Sequence, residues 1–594
     1  MGAQPVEIGR RLGPAEGVAL PDSTLIEQCE PSLRASAKSP TNPCPGTSAR
    51  SGADSSRCAI PDSLGKMQGI SPASGSPRQN RLEIPARFCI SRVGFPVIRN
   101  GGSFSTSRHI GWVVLVFVFA RRMRPIRVCT GLTVSAEKMK LESHMTRPLI
   151  ISAFVMNTAS HILQGLWRQP EGRQIEFNSL DLWVDLAVDL EKHLFDMIFF
   201  ADVAGLYEEF EGTHRVHIET GLQIPSNDPS VILSALAYNT EHLGLAFTSN
   251  ILQEHPFNFA RKVSTLDHAS QGRIAWNIVT NLQRNGARNF GQELTEHDAR
   301  YAWAREYVDV AYKLWEGSWD EGAILRDRES GIHADFEKVH AINHKGERYE
   351  VEGPHLVAPS PQRTPVLFQA GSSDAGRSFA AAHAEAQFLG APTPELAASS
   401  IGSVRDLLLQ NGRRPEDLKF IQGLSFVIGS TEEEAVRKSR ELDDAIDHRA
   451  MLAHLTGAMG VDPGRHAPDE PLSEWKIEGV QSLLEGIRAA TGSREPTIRD
   501  LILLTSRSGR VAGTPEQIAD ELERWQAAGI DGINLINATI PGTYLEFGEH
   551  VMPVLRDRGL AKKAYTPGTL RQKIFGRDRL PHTHPAAAYR NAFR

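Results

Sequence analysis

The chain has 594 residues and a net charge of −6, with 41% hydrophobic, 23% charged and 7% aromatic side chains. This composition excludes wholesale disorder, a collagen-like fibre and a coiled-coil rod. It also offers no basic excess that would make nucleic acid the main partner. The average hides a seam near residue 145. Residues 1–144 carry 10 acidic and 19 basic side chains, whereas residues 145–594 carry 61 and 46. All five cysteines (Cys29, Cys44, Cys58, Cys89 and Cys129) precede the seam. The body after it cannot hold a disulfide framework and suits a reducing, cytoplasmic setting.

Residues 1–144 are rich in Pro, Gly, Ser and Arg and show almost no periodicity, as expected of a disordered or spurious extension. Their one apolar run, Ile110 to Ala120, is shorter than the about 20 residues that span a bilayer. Three readings stand for this stretch. The start of the gene is placed too early and Met145 is the true first residue; or the extension is natural and disordered; or residues 110–127 anchor the chain to a membrane surface.

The body, 145–594, reads as alternating strands and helices. Leu149–Met156 is an apolar run fit for a buried strand. Asn178 is placed to cap a helix over Ser179–Lys192, with Leu182, Leu186 and Leu190 on one stripe. Strands are expected at Phe195–Ala201, Leu243–Thr248 and Arg273–Thr280, with helices at Pro229–His242, Phe257–Ala269 and Glu296–Trp315. A strand over Thr364–Ala370 precedes a helix over Asp374–His383, and Ala386–Leu389 is a weak strand. Further on come a helix over Glu395–Gln410, a strand over Lys419–Val427 and a helix over Glu432–Arg449. Pro515–Ala528 (helix), Gly532–Ile536 (strand) and Thr543–Arg556 (helix) close the unit.

About eight such alternations, with strands apolar on both faces, are the pattern of a (β/α)8 barrel. The body exceeds the minimal barrel by ~200 residues. The excess falls in insertions at 202–228, 317–363 and 450–512. A doubly wound open sheet is the runner-up, but no Gly-x-Gly-x-x-Gly turn follows the first strand.

The sharpest chemical signal is Gln369-Ala370-Gly371-Ser372-Ser373-Asp374-Ala375-Gly376-Arg377, joining an apolar strand to a helix. Two hydroxyls and free N–H groups at a helix start suit a phosphate. A plain turn with serine caps is the alternative. Asp202 closes the second strand. Thr248, Ser249 and Asn250 end the third, and Asn277 and Thr280 the fourth. Polar residues at successive strand ends suit a ligand with many hydrogen-bonding edges, although polar strand ends are common. His297 and Tyr301, at i and i+4, share a helix face and could reach a phosphate or a ring. A solvated amphipathic helix would look the same. His161, Trp167 and Arg168 follow the first strand and line either a substrate mouth or a packed loop. Metal ligands are poorly arranged: the first strand ends Met156-Asn157-Thr158 rather than His-x-His, and no metal site is expected.

These residues resemble the bacterial-luciferase-like, flavin-dependent monooxygenases. Within them the resemblance is to the branch of nitrilotriacetate monooxygenase component A, dibenzothiophene-sulfone monooxygenase and the pristinamycin synthase large subunit. The matching pieces are Ser160-His161-x6-Arg168, Phe199-Phe200-Ala201-Asp202, Asp228-Pro229, Leu266-Asp267-x4-Gly272-Arg273 and Trp276-Asn277-x-Val279-Thr280. Further on come His297-Asp298-x-Arg300-Tyr301, Gln369-Ala370-Gly371-x-Ser373, Gly513-Thr514-Pro515 and the tail Pro567-Gly568-Thr569-Leu570-Arg571. The resemblance runs from about 147 to 592.

It implies a barrel that uses FMN reduced by a separate NAD(P)H:FMN reductase. Oxygen adds to the reduced flavin, and a flavin (hydro)peroxide delivers one oxygen atom to a small organic substrate. By the same resemblance Asp202 and Thr248 contact the flavin and Asn277 lies near its ring. His297, Tyr301 and Ser373 hold the ribityl phosphate with Ser372 adjacent, and His161 shapes the oxygenation pocket. Asn281 stands where the branch often has serine, so its contacts are open. A homodimer is implied, with neither nucleic acid nor membrane as partner. The alternatives are a deazaflavin-dependent oxidoreductase, a non-catalytic flavin-binding barrel and a non-flavin barrel hydrolase. An aminopolycarboxylate substrate would call for an arginine cluster, with Arg168 and Arg215 as candidates.

Overall fold

A computed structural model describes residues 147–281, 283–459, 469–472 and 495–594. The five cysteines, the run 110–120 and the expected boundary at 145 lie outside the described residues, as does much of the insertion expected at 450–512.

Eight parallel strands close into a ring. They are β1 (Ile150–Met156), β2 (Met197–Ala201), β3 (Gly244–Asn250), β4 (Ile274–Val279), β5 (Val366–Gln369), β6 (Ala386–Leu389), β7 (Lys419–Ile428) and β8 (Gly532–Ile536). Each pairs with the next, β8 pairs with β1, and the expected (β/α)8 barrel is the observed architecture. A further short strand, Arg510–Gly513, pairs with the far end of β7 beyond the stretch that β8 covers. Alternate strand residues point to two different cores. Ile151, Ala153 and Val155 face the surrounding helices, together with Leu182, Leu186 and Leu190. Phe154, Met197, Phe199, Ala246, Ala275, Val366, Phe368 and Ile421 fill the barrel interior. Among them, Phe154 lies 5.5 Å from Phe199 and 5.2 Å from Phe388, and Phe199 lies 5.3 Å from Phe368, centroid to centroid. These four rings form an aromatic floor.

The opposite, N-terminal end of the barrel is closed by the tail helix Leu570–Phe575, whose Leu570 joins the interior core. A third core stands beside these two, with Ile162 packed against both it and the barrel interior. It unites Leu163 and Leu166 after β1, Phe210, Val216 and Leu222 from the 202–228 insertion, Met451 and Leu452 from the helix His448–Met459, and Leu501 and Ile502 from the helix Ile498–Arg507. Loops distant in sequence thus build one cap. Among the described residues no helix is long and apolar enough to cross a membrane.

Some local expectations are corrected. The cap of the first long helix, Leu180–Lys192, is Ser179 and not Asn178, whose carboxamide oxygen instead accepts from Asn227 Nδ2 at 2.9 Å. The helix expected over Glu432–Arg449 stops at Ala445, and a second begins at His448. The break lets the Asp447 N–H reach the Gln164 carbonyl at 2.9 Å, tying this corner to the loop after β1.

Candidate active site

The candidate residues collect at the C-terminal ends of the strands, the rim where such barrels place their chemistry. Asp202 follows β2 directly and lines a cleft of about 140 Å³ with Tyr207, Thr248, Asn250, Gln253, Val279 and Gln283. Thr248 on β3 and Asn277 on β4 are in register, and Asn277 Nδ2 donates to Thr248 Oγ1 at 3.0 Å. Asn277 Oδ1 is buried with no hydrogen-bond partner among the described residues. Leaving such an atom unpaired is costly, which marks it as a contact for a ligand donor. Gln253 Nε2 donates to Asp202 Oδ2 at 3.2 Å. Burial outweighs that bond and pushes the Asp202 carboxyl up to about 7.

This has a testable sign. A carboxyl whose pKa is raised on folding contributes stability that is present below its unfolded pKa, near 4. That contribution is lost as pH rises through about 7. Relative to the wild type, Asp202→Asn is therefore expected to gain stability as pH climbs from 4 to 7 and no further above that. The slope is at most about 1.4 kcal/mol per pH unit. Denaturation midpoints of the two proteins across that range check it, and parallel profiles would refute it.

A second cluster surrounds the loop after β5. Ser373 is the N-cap of the helix Asp374–His383, and its Oγ accepts from the Gly376 N–H at 3.1 Å. His297, the first residue of the helix His297–Tyr312, brings Nε2 to 3.1 Å from the same Oγ. On its other side Nδ1 lies 2.9 Å from the Asp298 carboxylate. One turn on, the Tyr301 hydroxyl accepts from Gln369 Nε2 at 3.4 Å. The loop lies directly on Tyr301: a Cβ added at Gly376 would meet that hydroxyl at 2.8 Å, and one at Gly371 would collide with it. Glycine is required here by close approach. Ser372 is exposed, and its carbonyl accepts from Arg377 at 2.8 Å. The Gly371 peptide is gripped on both edges, its N–H by Gln369 Oε1 at 2.8 Å and its carbonyl by Gln387 Nε2 at 3.1 Å. Hydroxyls, an imidazole, a nearby guanidinium and a helix N-terminus fit a phosphate ester.

The cap supplies the third group. The His161 ring packs 5.1 Å from Phe154 of the aromatic floor. His454, from the helix His448–Met459, is held by Gln164, whose Nε2 lies 3.1 Å from His454 Nδ1. Burial, and secondarily each one's histidine neighbour, push His161 down to about 3 and His454 down to about 4. His217, next to Tyr207 at 6.2 Å, is lowered for the same first reason. His161 and His454 are therefore neutral at physiological pH, and burial moves His217 in the same direction.

The tryptophan, arginine and Asn281 candidates are engaged elsewhere. Trp167 Nε1 donates to the Thr220 carbonyl at 2.9 Å. Arg168 donates to the Gly165 and Ala445 carbonyls at 2.9 and 2.6 Å. Both belong to a packed loop. Arg215 is on the surface, paired with Glu219 at 2.6 Å. Asn281 adopts φ +63° and bonds to the backbone of Gln283, a left-handed turn that asparagine tolerates well.

The model of the family described as luciferase-like monooxygenase matches residues 156–532. The long-chain alkane monooxygenase of Geobacillus thermodenitrificans is 41% identical over 452 residues, 75% of this chain and 99% of that protein. The dimethyl-sulfide monooxygenase of Hyphomicrobium sulfonivorans is 40% identical over 457 residues, 76% and 95%. A solved riboflavin lyase holding modified FMN and riboflavin superposes with a TM-score of 0.68 at 35% identity, over 75% of this chain and 100% of that one. The chain belongs to the luciferase-like monooxygenase family.

As a luciferase-like monooxygenase it is a flavin-dependent oxidoreductase. Sequence reasoning did not single out Tyr207 and Gln253, which line the cleft, or His454, which stands beside Gln164. Gln253 carries a faint signal, three residues after the polar end of β3. Tyr207 and His454 sit in insertions whose path no periodicity reveals.

Proposed function

We propose that this protein is the cytoplasmic oxygenating component of a two-component system. It takes FMN reduced by a separate NAD(P)H:FMN reductase and inserts one atom of O2 into a small, uncharged, largely apolar substrate. The catalytic unit in this reading is residues 145–594. What carries it is the meeting of the Ser373 hydroxyl and the His297 ring, 3.1 Å apart at a helix N-terminus. The polar strand ends of the second to fourth strands lie on the same rim. When bound, reduced flavin supplies the two electrons that divide O2 between product and water. Ser373, His297 and Tyr301, with Ser372 beside them, hold the ribityl phosphate. Asp202, Thr248 and Asn277 would hold the ring system, with Asn277 Oδ1, unpartnered among the described residues, free to accept from it. His161 bounds the oxygenation pocket as a neutral imidazole, and the aromatic floor beneath it excludes water.

The substrate class follows from charge. Histidines that stay neutral to about pH 3–4, next to phenylalanine and tyrosine rings, favour an uncharged molecule. Among the described residues the two candidate guanidiniums, Arg168 and Arg215, are spent on other partners, which disfavours a polycarboxylate. The proposal includes a homodimer. Val231 and Tyr238, 73% and 89% exposed and seven residues apart on one helix, are apolar surface of the kind a partner copy covers.

The test combines the protein with NADH, FMN and a generic flavin reductase. It follows oxygen uptake and product mass with n-alkanes, dialkyl sulfides and aminopolycarboxylates. A one-oxygen mass gain on a neutral member is expected. Turnover of the polycarboxylates alone would overturn the substrate class, and failure to bind FMN would overturn the reading itself.

A further inference from the structure

Gly457 lies within the helix His448–Met459. Glycine inside a helix costs about 0.5–1 kcal/mol relative to alanine, and Gly457 has no left-handed backbone to justify it. Its reason is a neighbour. A Cβ at 457 would stand 2.5 Å from Tyr207 Cβ, 2.6 Å from Cδ1 and closer still to Cγ. The base of the Tyr207 side chain thus packs directly against the bare helix at Gly457. On the same helix face, three residues earlier, the His454 ring faces Tyr207 at 6.3 Å with an interplanar angle of 26°. The other side of Tyr207 forms a wall of the cleft that Asp202, Thr248 and Gln283 also line.

We propose that Gly457 is a specificity-determining position that sets how long a molecule the cleft admits. This rests on the apolar-substrate reading above. A side chain at 457 must displace either the helix or Tyr207. The helix is pinned by Ala450, Met451 and Ala453 in the cap core. It is held again by Arg449, which bonds Glu219 at 2.6 Å and Glu211 at 3.1 Å. Tyr207 Cβ itself lies within 2.5 Å, so turning the ring cannot relieve the contact, and it is the irregular loop carrying Tyr207 that moves. Tyr207 then moves toward the cleft, where a substrate would lie beside the flavin ring that Asp202 and Thr248 contact, and the space left for the substrate shortens. Tyr207 is the wall, and Gly457 decides where the wall stands.

The test uses the full chain with n-alkyl methyl sulfides from methyl to dodecyl. Gly402→Ala serves as control, because Gly402 is also helical but a Cβ there would meet nothing within 4 Å. Gly457→Ala is expected to move the kcat/KM optimum to shorter chains. The longest sulfide should lose at least about tenfold relative to the shortest, a difference of about 1.4 kcal/mol. The profiles are read at saturating reduced FMN, and Gly402→Ala should match the wild type. The double variant Gly457→Ala with Tyr207→Gly, which removes every clashing atom, should recover the long sulfides, which a merely destabilised helix would not do. It also provides the readout if the single variant fails to fold. A chain-length profile that superimposes on the wild type overturns the proposal. If the wild type oxygenates no sulfide, the substrate reading fails, and the absorption spectrum of bound oxidised FMN then decides. A band shifted by Gly457→Ala keeps the displaced ring, and an unshifted band removes it.

Discussion

Arg571→Ala is expected to cost about 3–5 kcal/mol of stability, the usual loss when a buried ion pair is left with one partner. Arg571 and Glu385 are both fully buried at the N-terminal end of the barrel. The guanidinium donates to both Glu385 oxygens, at 2.9 and 2.8 Å, and to the carbonyls of Thr364 and Pro365, each at 2.9 Å. Alanine would strand the carboxylate and remove the donor from three carbonyls at once, those of Thr364, Pro365 and Gln362. Lysine would restore the charge but not the planar fork, so Arg571→Lys should recover only part of the loss. Denaturant midpoints at constant slope measure this. A loss under about 1 kcal/mol would mean that water or rearrangement satisfies Glu385, and the closing role given to the tail would fall with it.

The second large effect concerns the phosphate. Removing both Ser373 Oγ and the His297 ring should weaken FMN by about 10–100-fold, as hydrogen bonds to charged groups are worth about 1.5–3 kcal/mol each and are seldom additive. Riboflavin, which lacks the phosphate, should bind as before. Ser373 also caps a helix, so alanine there carries a stability cost of about 1 kcal/mol. Ser373→Asp separates the two roles, because aspartate caps as well as serine but repels a phosphate. FMN and riboflavin titrations of the wild type, Ser373→Asp and the double alanine variant check the assignment. Equal weakening of both flavins would move the phosphate elsewhere. Gln387→Leu should act more weakly and also only on FMN, because Gln387 touches the Gly371 carbonyl rather than the ligand.

Much of this was legible from sequence, for reasons that differ by element. Strands buried on both faces read as apolar runs, so β1, β6 and β8 stand where the pattern puts them, within a residue. The helix Asp374–His383 was bounded by its cap serine and its final histidine. The edge strand Arg510–Gly513 was read as part of an insertion. Four residues without alternation carry no signal, and the strand exists only because β7 runs ten residues and outlasts β8. The floor was half legible: Phe154, Phe199, Phe368 and Phe388 lie inside recognisable strands, but their meeting depends on barrel closure. The resemblance pointed to His297, Tyr301 and Ser373, and the helix dipole gave a physical reason for Ser373. Nothing local announced that His454 would come near His161, 293 positions earlier, because that approach is made by the third core.

That third core has an evolutionary consequence. Its side chains come from the segments that cap the barrel, and Ile162 joins that core to the barrel-interior core. Substitutions in the cap can reshape the reaction chamber while leaving the scaffold's stability nearly untouched, and damage to the scaffold need not alter what the chamber selects. A lineage built this way can change diet without refolding. The relatives that share this barrel, whose names run from long-chain alkane to dimethyl-sulfide monooxygenase, are the kind of divergence such a division permits.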